Sequence, residues 1–426
     1  MSLLRQLPEL IEESREFYEE AYPARLSASE KSGDDGNMLA LCDNIGFAKF
    51  LVAKGYRNKV QTIYMDPPFM SGSDYTAKVQ GPDGKKILQP AYTDTWKHDE
   101  EGYIRMLCAS LWAAKDLLSD TGSVFLHLDW HFVHYMKVAM DEIFGRENFV
   151  NEIIWQYKSG GSTKKHFARK HDTILMYSGS GDHYISIPKE KSYNRDGKPY
   201  RFKGVDEFED EAGWYTMVNM KDVWALDMVG RTSAERTGYA TQKPESLLER
   251  IVESSSREGD ICVDLFCGSG TLPVVCARTG RRFMACDIGR LAACVTKKRL
   301  YENDASFTYY RSDERGKAEI IAETESRDDG KTVSIKGYIP DLETVTLNEK
   351  DAPSFMSMTV EDALAMIETV SIDDDFDGKV HHQTAYSVRD KNGGPKLSFP
   401  VGSGSDISII VTDIFGNETS TVVSGK

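Results

Sequence analysis

Asp66-Pro67-Pro68-Phe69 brings a carboxylate, stiff backbone carbonyls and an aromatic face together in four consecutive residues. The run before it, Val60-Gln61-Thr62-Ile63-Tyr64-Met65, is apolar enough for a buried strand, which the two prolines must end. Neither proline can donate to a sheet ladder and each fixes its own φ, so a stiff loop at a strand's end is expected. An exocyclic amine attacking a methyl donor needs acceptors for its hydrogens and a surface for its flat ring. Asp66 and the Pro67 carbonyl can supply the acceptors, and Phe69 the surface. Asp-Pro-Pro also caps ordinary turns, so the tetrapeptide gains meaning only beside a site for the donor.

Asp260-Ile261-Cys262-Val263-Asp264 reads as a short strand ending in an acid. It runs into Leu265-Phe266-Cys267-Gly268-Ser269-Gly270-Thr271, a glycine loop that opens a helix over 271–278 with Pro273 in its first turn. The glycines allow close backbone approach to a ligand, and the helix start offers unpaired N–H groups. The next strand, Arg282-Phe283-Met284-Ala285-Cys286, ends in Asp287, 23 positions after Asp264. That is about the spacing at which an acid meets a ribose diol in βαβ nucleotide folds. The loop is not Gly-x-Gly-x-x-Gly and no Lys-Ser/Thr follows it, so dinucleotides and P-loop nucleotides fit poorly. S-adenosylmethionine has a ribose, no phosphate, and two cationic groups that tolerate nearby carboxylates. A structural βα turn is the plainer alternative for this segment taken alone.

The two motifs in this order resemble the amino-group DNA methyltransferases, in particular their permuted β group, which includes the modification subunits of type III restriction–modification systems. Thr241-Gln242-Lys243-Pro244-Glu245 and the residues to Ile251 resemble that family's cofactor-side helix. Met140–Gly145 and Asn151–Trp155 resemble its framework after the catalytic loop, and Cys42-Asp43-Asn44-Ile45 its Gly-Asp-Asn-Leu turn, with Cys42 in place of Gly. Leu272-Pro273 departs from the family pattern after Thr271. The resemblance spans roughly residues 36–300. It implies an α/β, Rossmann-like, S-adenosylmethionine-dependent fold with circularly permuted motif order. It also implies methylation of adenine N6 in double-stranded DNA, at a base flipped out of the stack. By the same resemblance Asp66, Pro67, Pro68 and Phe69 are catalytic. Asp43, Asn44, Thr241, Lys243, Asp264, Phe266, Cys267, Gly268, Ser269, Gly270, Thr271 and Asp287 hold the cofactor. Cytosine N4 is the alternative target, since relatives acting there often carry Ser in place of Asp66. A catalytically idle DNA-binding or scaffold subunit of a defence complex is the alternative of another class. A homodimer and a separate restriction or helicase subunit are the protein partners the resemblance leaves room for.

The net charge of −15 looks wrong for a DNA binder until it is mapped. Residues 311–426 hold 12 Lys or Arg against 22 Asp or Glu, so −10 of that charge lies in the tail. The opposite bias appears from Lys158 to His171, where Lys158, Lys164, Lys165, Arg169 and Lys170 occur without an acid and around Phe167. Such a stretch suits a phosphate backbone, although a solvated surface loop would look the same. No Cys-x-x-Cys spacing links the seven cysteines, which suggests reduced residues of a cytoplasmic, nucleoid-associated protein. No stretch approaches a membrane span, and no Pro-Cys pair supports a cytosine-C5 nucleophile.

These anchors divide the chain. Residues 1–35 read as an N-terminal helical segment, with Leu3, Leu4, Leu7, Leu10 and Ile11 toward one face. Residues 36–178 form the catalytic half, in which Ser71 to Trp96 reads as a mobile loop. The irregular stretch 179–236, with Tyr193, Tyr200, Phe202, Trp214, Tyr215 and Trp224 among its charges, is where the family inserts its target-recognition region. Residues 237–310 form the cofactor half. Residues 311–426 read as an acidic, β-rich appendage with one helix near 359–369. His127, His131 and His134 lack a shared face, so no metal is expected, and Trp130 reads as packing.

Overall fold

A computed structural model describes residues 2–70, 74–80, 86–94, 99–158, 163–312, 317–327, 330–345, 352–390, 393–402 and 405–424. At its centre lies an eleven-stranded sheet. Five neighbouring strands, Leu118–Leu128, Val60–Met65, Ile261–Asp264, Arg282–Asp287 and Met38–Leu41, run parallel. The strand that leads into Asp66 therefore lies directly beside the strand that ends in Asp264, although about 200 residues separate them in sequence. His171–Ser178 then runs antiparallel beside Leu118–Leu128, followed by Phe149–Gln156 and Val223–Ala225. On the far side Phe307–Arg311, Ser27–Ser32 and His381–His382 complete the sheet.

Alternation along these strands builds the two covering layers. Ile63, Met65, Val263 and Met284 face a core shared with helices Leu3–Glu20, Asn44–Ala53, Glu100–Leu117 and Val133–Phe144. Tyr64, Cys262, Phe283 and Ala285 face the opposite core, under helices Glu245–Ser255, Thr271–Arg278 and Arg290–Glu302. Parallel strands buried on both faces are the mark of a helix-covered α/β sheet. In such sheets ligands bind beyond the carboxyl ends of the strands, and here the loops after Met65, Asp264, Asp287 and Leu41 share that edge. The fold is a helix-covered α/β sheet in which the strand ending before Asp66 precedes the strands ending in Asp264 and Asp287 along the chain.

Several boundaries differ from the sequence expectation. The N-terminal helix stops at Glu20, before Pro23, and residues 27–32 form a strand rather than helix. Ser-Ala-Ser-Glu-Lys-Ser has little strand preference of its own, and pairing with Phe307–Arg311 decides it. Leu7, Leu10 and Ile11 are buried as the helical pattern requires, but Leu4 points to solvent. Within the stretch expected to be a mobile loop, Asp74–Gln80 and Lys86–Thr93 pair as an antiparallel hairpin. Residues 71–73, 81–85 and 95–96 of that stretch lie outside the described residues. The inserted region carries a small sheet of Lys189–Tyr193, Glu207–Asp210 and Gly213–Asn219, but rejoins the main sheet at Val223–Ala225.

The C-terminal residues fold as two further sheets around Tyr338, Val370, Phe399 and Ile409. They are not a detached appendage. His381–His382 pairs with the main sheet, and Ile87 of the hairpin packs into the C-terminal core. Between these parts lies a buried ionic cluster: Lys297 binds Glu30 and, at 2.9 Å, Glu418, which also pairs with Arg311 at 3.2 Å. Burial alone would discharge Lys297, but the two glutamates outweigh it and hold the ammonium charged. The helix expected near 359–369 appears as a short turn of helix at Ala352–Met356 and a tighter one at Asp362–Met366, before strand Ile367–Phe376.

Candidate active site

Beyond the carboxyl edge lies a cavity of about 430 Å³ bounded by residues from both halves of the chain. Asp66, Pro67, Pro68 and Phe69 form one wall; Asp43, Asn44, Asp264, Phe266 to Ser269, Thr271 and Asp287 form the other. Thr241 and Lys243 close the gap between them, and Tyr75 and Ala91 of the hairpin cover one side. Gly270 is the one proposed cofactor residue that does not line the cavity. At φ +75° it starts the helix Thr271–Arg278, and a Cβ there would strike Thr296 at 2.6 Å.

The loop after Met65 is held from behind. Tyr103, fully buried, donates to the Pro68 carbonyl at 2.6 Å, and Asp94 accepts from the Met70 N–H at 2.9 Å. The Pro67 carbonyl receives no protein hydrogen bond among the described residues, which leaves it able to accept from a ligand. The Phe69 ring lies 5.8 Å from that of His127. His127 is fully buried, bonded to the Tyr64 hydroxyl at 2.8 Å and to Asp172 at 3.3 Å, so it is a packed support for the aromatic wall. Burial works to raise the Asp172 carboxyl, but the hydrogen bond and charge of His127 outweigh it and hold Asp172 below the usual carboxylate range. His131 pairs instead with Asp129, and no group of His, Cys, Asp and Glu able to hold a metal occurs among the described residues.

Lys243 occupies a place that sequence spacing did not indicate. Its Nζ donates to both oxygens of Asp66, at 2.7 and 2.5 Å, and lies 4.9 Å from the centre of the Phe69 ring. The side chains are 9% and 18% exposed, so the ion pair is largely shielded from solvent. Its backbone is fixed on both sides. Thr241 adopts φ +60°, a strained conformation for a β-branched residue. Gln242 accepts from the Thr237 N–H and hydroxyl and donates to the Glu235 carbonyl. Thr271 donates to the Lys243 carbonyl at 3.1 Å, tying this segment to the glycine loop.

On the cofactor side Asp287 accepts from the N–H groups of Gly268 and Gly289, each at 2.8 Å. Asp264 is buried and accepts from the Phe266 N–H at 3.0 Å. Burial raises both carboxyls, against the hydrogen bonds each receives; for Asp264 the neighbouring Asp66 and Asp287 raise it further. Burial likewise pushes the Cys267 thiol well up, so it is a neutral wall group. Asp43 caps helix Asn44–Ala53 through the Gly46 N–H at 2.7 Å while still facing the cavity. Two supports escaped the sequence reading. Arg299 donates to the Ser269 carbonyl and to Glu245, and Thr296 donates to the Gly268 carbonyl. All seven cysteines are free.

S-adenosylmethionine fits this donor set. Its cationic groups suit a wall with three carboxylates, and each oxygen of Asp287 keeps a lone pair that ribose hydroxyls can use. Among the described lining residues a phosphate would meet no cation other than Lys243, which is already committed to Asp66.

The basic residues Lys158, Lys164, Lys165, Arg169 and Lys170 do not line the cavity. They leave the sheet at the same edge, between Phe149–Gln156 and His171–Ser178, and all but the half-buried Lys170 are exposed. Ser159, Gly160, Gly161 and Ser162 of this stretch lie outside the described residues. Trp130 is 43% exposed instead of packed, with the Arg169 guanidinium 3.9 Å above its ring. No helix among the described residues is long and apolar enough to cross a membrane.

Known proteins resemble this chain over most of the region that builds the cavity. The sequence profile of a family described as DNA methylase matches residues 60–298. The type II methyltransferase M.HpaI of Haemophilus parainfluenzae is 28% identical over 261 residues, 61% of this chain and 73% of its own. DNA adenine methyltransferase YhdJ of Escherichia coli K12 is 26% identical over 244 residues, covering 54% of this chain and 72% of its own. The Mod subunit of the type III enzyme EcoP15I of Escherichia coli is 25% identical over 173 residues, 37% of this chain but only 26% of that one.

Proposed function

This chain belongs to the DNA methylase family, and from that premise we propose that it methylates the N6 amine of an adenine flipped out of double-stranded DNA, using S-adenosylmethionine. The observation that carries this reading is the single cavity. Acceptors and an aromatic wall for a base amine stand on one side, and the acid-lined glycine loop on the other. Adenine is favoured over cytosine by the intact Asp66 and by likeness to a relative named as a DNA adenine methyltransferase.

When bound, the cofactor supplies an electrophilic methyl group on a sulfonium. Asp287 would hold its ribose, with Asp264 and the Phe266–Thr271 loop around its methionine end. Phe69 stacks on the flipped base and holds it edge-on to the acceptors. Asp66 accepts one hydrogen of the amine and the Pro67 carbonyl the other, which orients the nitrogen lone pair toward the methyl group. Positive charge grows on that nitrogen as it attacks, and the Asp66 carboxylate stabilises it. The proton released afterwards leaves through Asp66 to solvent, so that the carboxylate is restored. Lys243 must yield at least one Asp66 oxygen to the incoming amine, since it holds both beforehand.

Incubation with labelled S-adenosylmethionine and plasmid DNA, followed by digestion to nucleosides, tests the proposal. Label in N6-methyladenine is expected. Label in N4-methylcytosine alone would refute the choice of base, and unlabelled DNA would refute the activity.

A further inference from the structure

Phe167 is the most exposed large hydrophobic residue of the described chain, at 98%. A lone exposed apolar side chain is ordinary on a protein surface. Two observations set this one apart, its cationic flanks and its braced turn. Lys164, Lys165 and Arg169 flank it within three residues and are themselves exposed, with no acid between Lys158 and His171. The turn that carries it is braced: Thr163 donates to the His166 carbonyl, and the His166 ring nitrogen lies 2.9 Å from the Phe167 carbonyl. Several exposed rings find ring partners, as Phe202 does with Tyr200 at 5.5 Å and Phe208 with Tyr215 at 5.7 Å, while Phe17 and Tyr22 are exposed without one among the described residues. Phe167 makes no ring contact among the described residues.

The sheet register sets where this ring stands. Gln156 pairs with His171, Leu128 with Thr173, and Leu126 with Met65, so the segment rises from the edge that carries Asp66. Its two roots are two and three strands from the catalytic strand, roughly 10–15 Å at the usual strand spacing. Arg169, stacked on Trp130 just beyond Leu128, holds the near end of the segment against that edge. A duplex whose base occupies the cavity must pass over this edge, with its phosphates among these cations.

We propose that Phe167 is the wedge that enters the duplex and fills the space left by the flipped base. The inference rests on the DNA-methylating reading above and adds the residue that holds the flipped state. Flipping a base costs its stacking on both neighbours, and an inserted apolar ring restores part of that stacking. The cations set how tightly DNA is held, whereas the ring sets how often the base is out.

The test uses the full chain and a duplex of about 30 base pairs carrying a site that the wild type is found to methylate. The target adenine is paired with thymine in one version and placed opposite an abasic position in the other. Phe167→Ala is expected to slow single-turnover methylation of the paired duplex by about 10- to 100-fold, in keeping with a few kcal/mol of unstacking. On the unpaired duplex, where leaving the stack costs less, it should stay within about threefold of wild type. Phe167→Trp should retain the wild-type rate on both. Wild-type speed of Phe167→Ala on the paired duplex, or an equal loss on both duplexes, would overturn the wedge. Absence of any transfer by the wild type to plasmid DNA would overturn the methylating reading and the wedge with it.

Discussion

Replacing Lys243 with methionine separates two roles this residue can have. The sequence resemblance assigned it to the cofactor, whereas the structure places its ammonium on both oxygens of Asp66, at 2.7 and 2.5 Å. Removing one partner of a fully buried pair typically costs about 3–5 kcal/mol. Here the Asp66 side chain is 18% exposed and opens onto the cavity, so water can re-solvate it. Losing charge-assisted hydrogen bonds, at about 1.5–3 kcal/mol, is the better measure of the loss of orientation. If that loss falls on the transition state, kcat drops by about 10- to 150-fold at saturating cofactor. S-adenosylmethionine affinity, read by calorimetric titration, should stay within about threefold. Initial rates of label transfer at saturating cofactor give kcat. An unchanged kcat together with a more than tenfold weaker cofactor affinity would refute this reasoning and return Lys243 to the cofactor.

Asp287→Ala should weaken S-adenosylmethionine binding by about 10- to 150-fold and leave DNA affinity without cofactor nearly unchanged; calorimetry showing wild-type affinity would remove Asp287 from the pocket. The same change frees the N–H groups of Gly268 and Gly289, so a lower melting temperature should accompany it. Lys164→Ala combined with Lys165→Ala should reduce the slope of log affinity against log salt by about 2, measured by anisotropy of a labelled duplex; an unchanged slope would place both lysines off the phosphates. Burial pushes the Asp413 carboxyl up to about 6, so the folded state holds this proton more tightly than the unfolded chain. Its contribution to stability is full below about pH 4 and is lost as the pH rises through 6, about 3 kcal/mol in all. Asp413→Asn, which cannot ionise, should therefore gain on the wild type by up to that amount between pH 4 and pH 7 in urea titrations, and parallel curves would contradict it.

The chemistry was legible where it is carried by contiguous residues. Two prolines had to end the Val60–Met65 strand, and Pro273 had to sit in the first turn of Thr271–Arg278; both do. Local patterning also places Asp264 and Asp287 at strand ends, and parallel pairing then brings their loops to one edge. What stayed hidden depends on pairs distant in sequence. Lys243 and Asp66 are 177 positions apart, and nothing local to either indicates the other. Arg299 was not singled out because its partners, Glu245 and the Ser269 carbonyl, arrive from another helix and a loop. Ser27–Ser32 is a strand only because Phe307–Arg311 supplies its ladder. The hairpin after the catalytic loop was obscured for the same reason, since Ile87 is buried by the C-terminal core and not by its own neighbours.

Single-molecule sequencing of DNA from cells expressing the chain, set beside DNA from cells expressing Asp66→Ala, tests the central claim most directly. The account predicts N6-methyladenine at one short recurring sequence with the wild type and none with Asp66→Ala, while purified Asp66→Ala still binds S-adenosylmethionine. Equal modification by the two proteins, or unmodified DNA from the wild type, would contradict it.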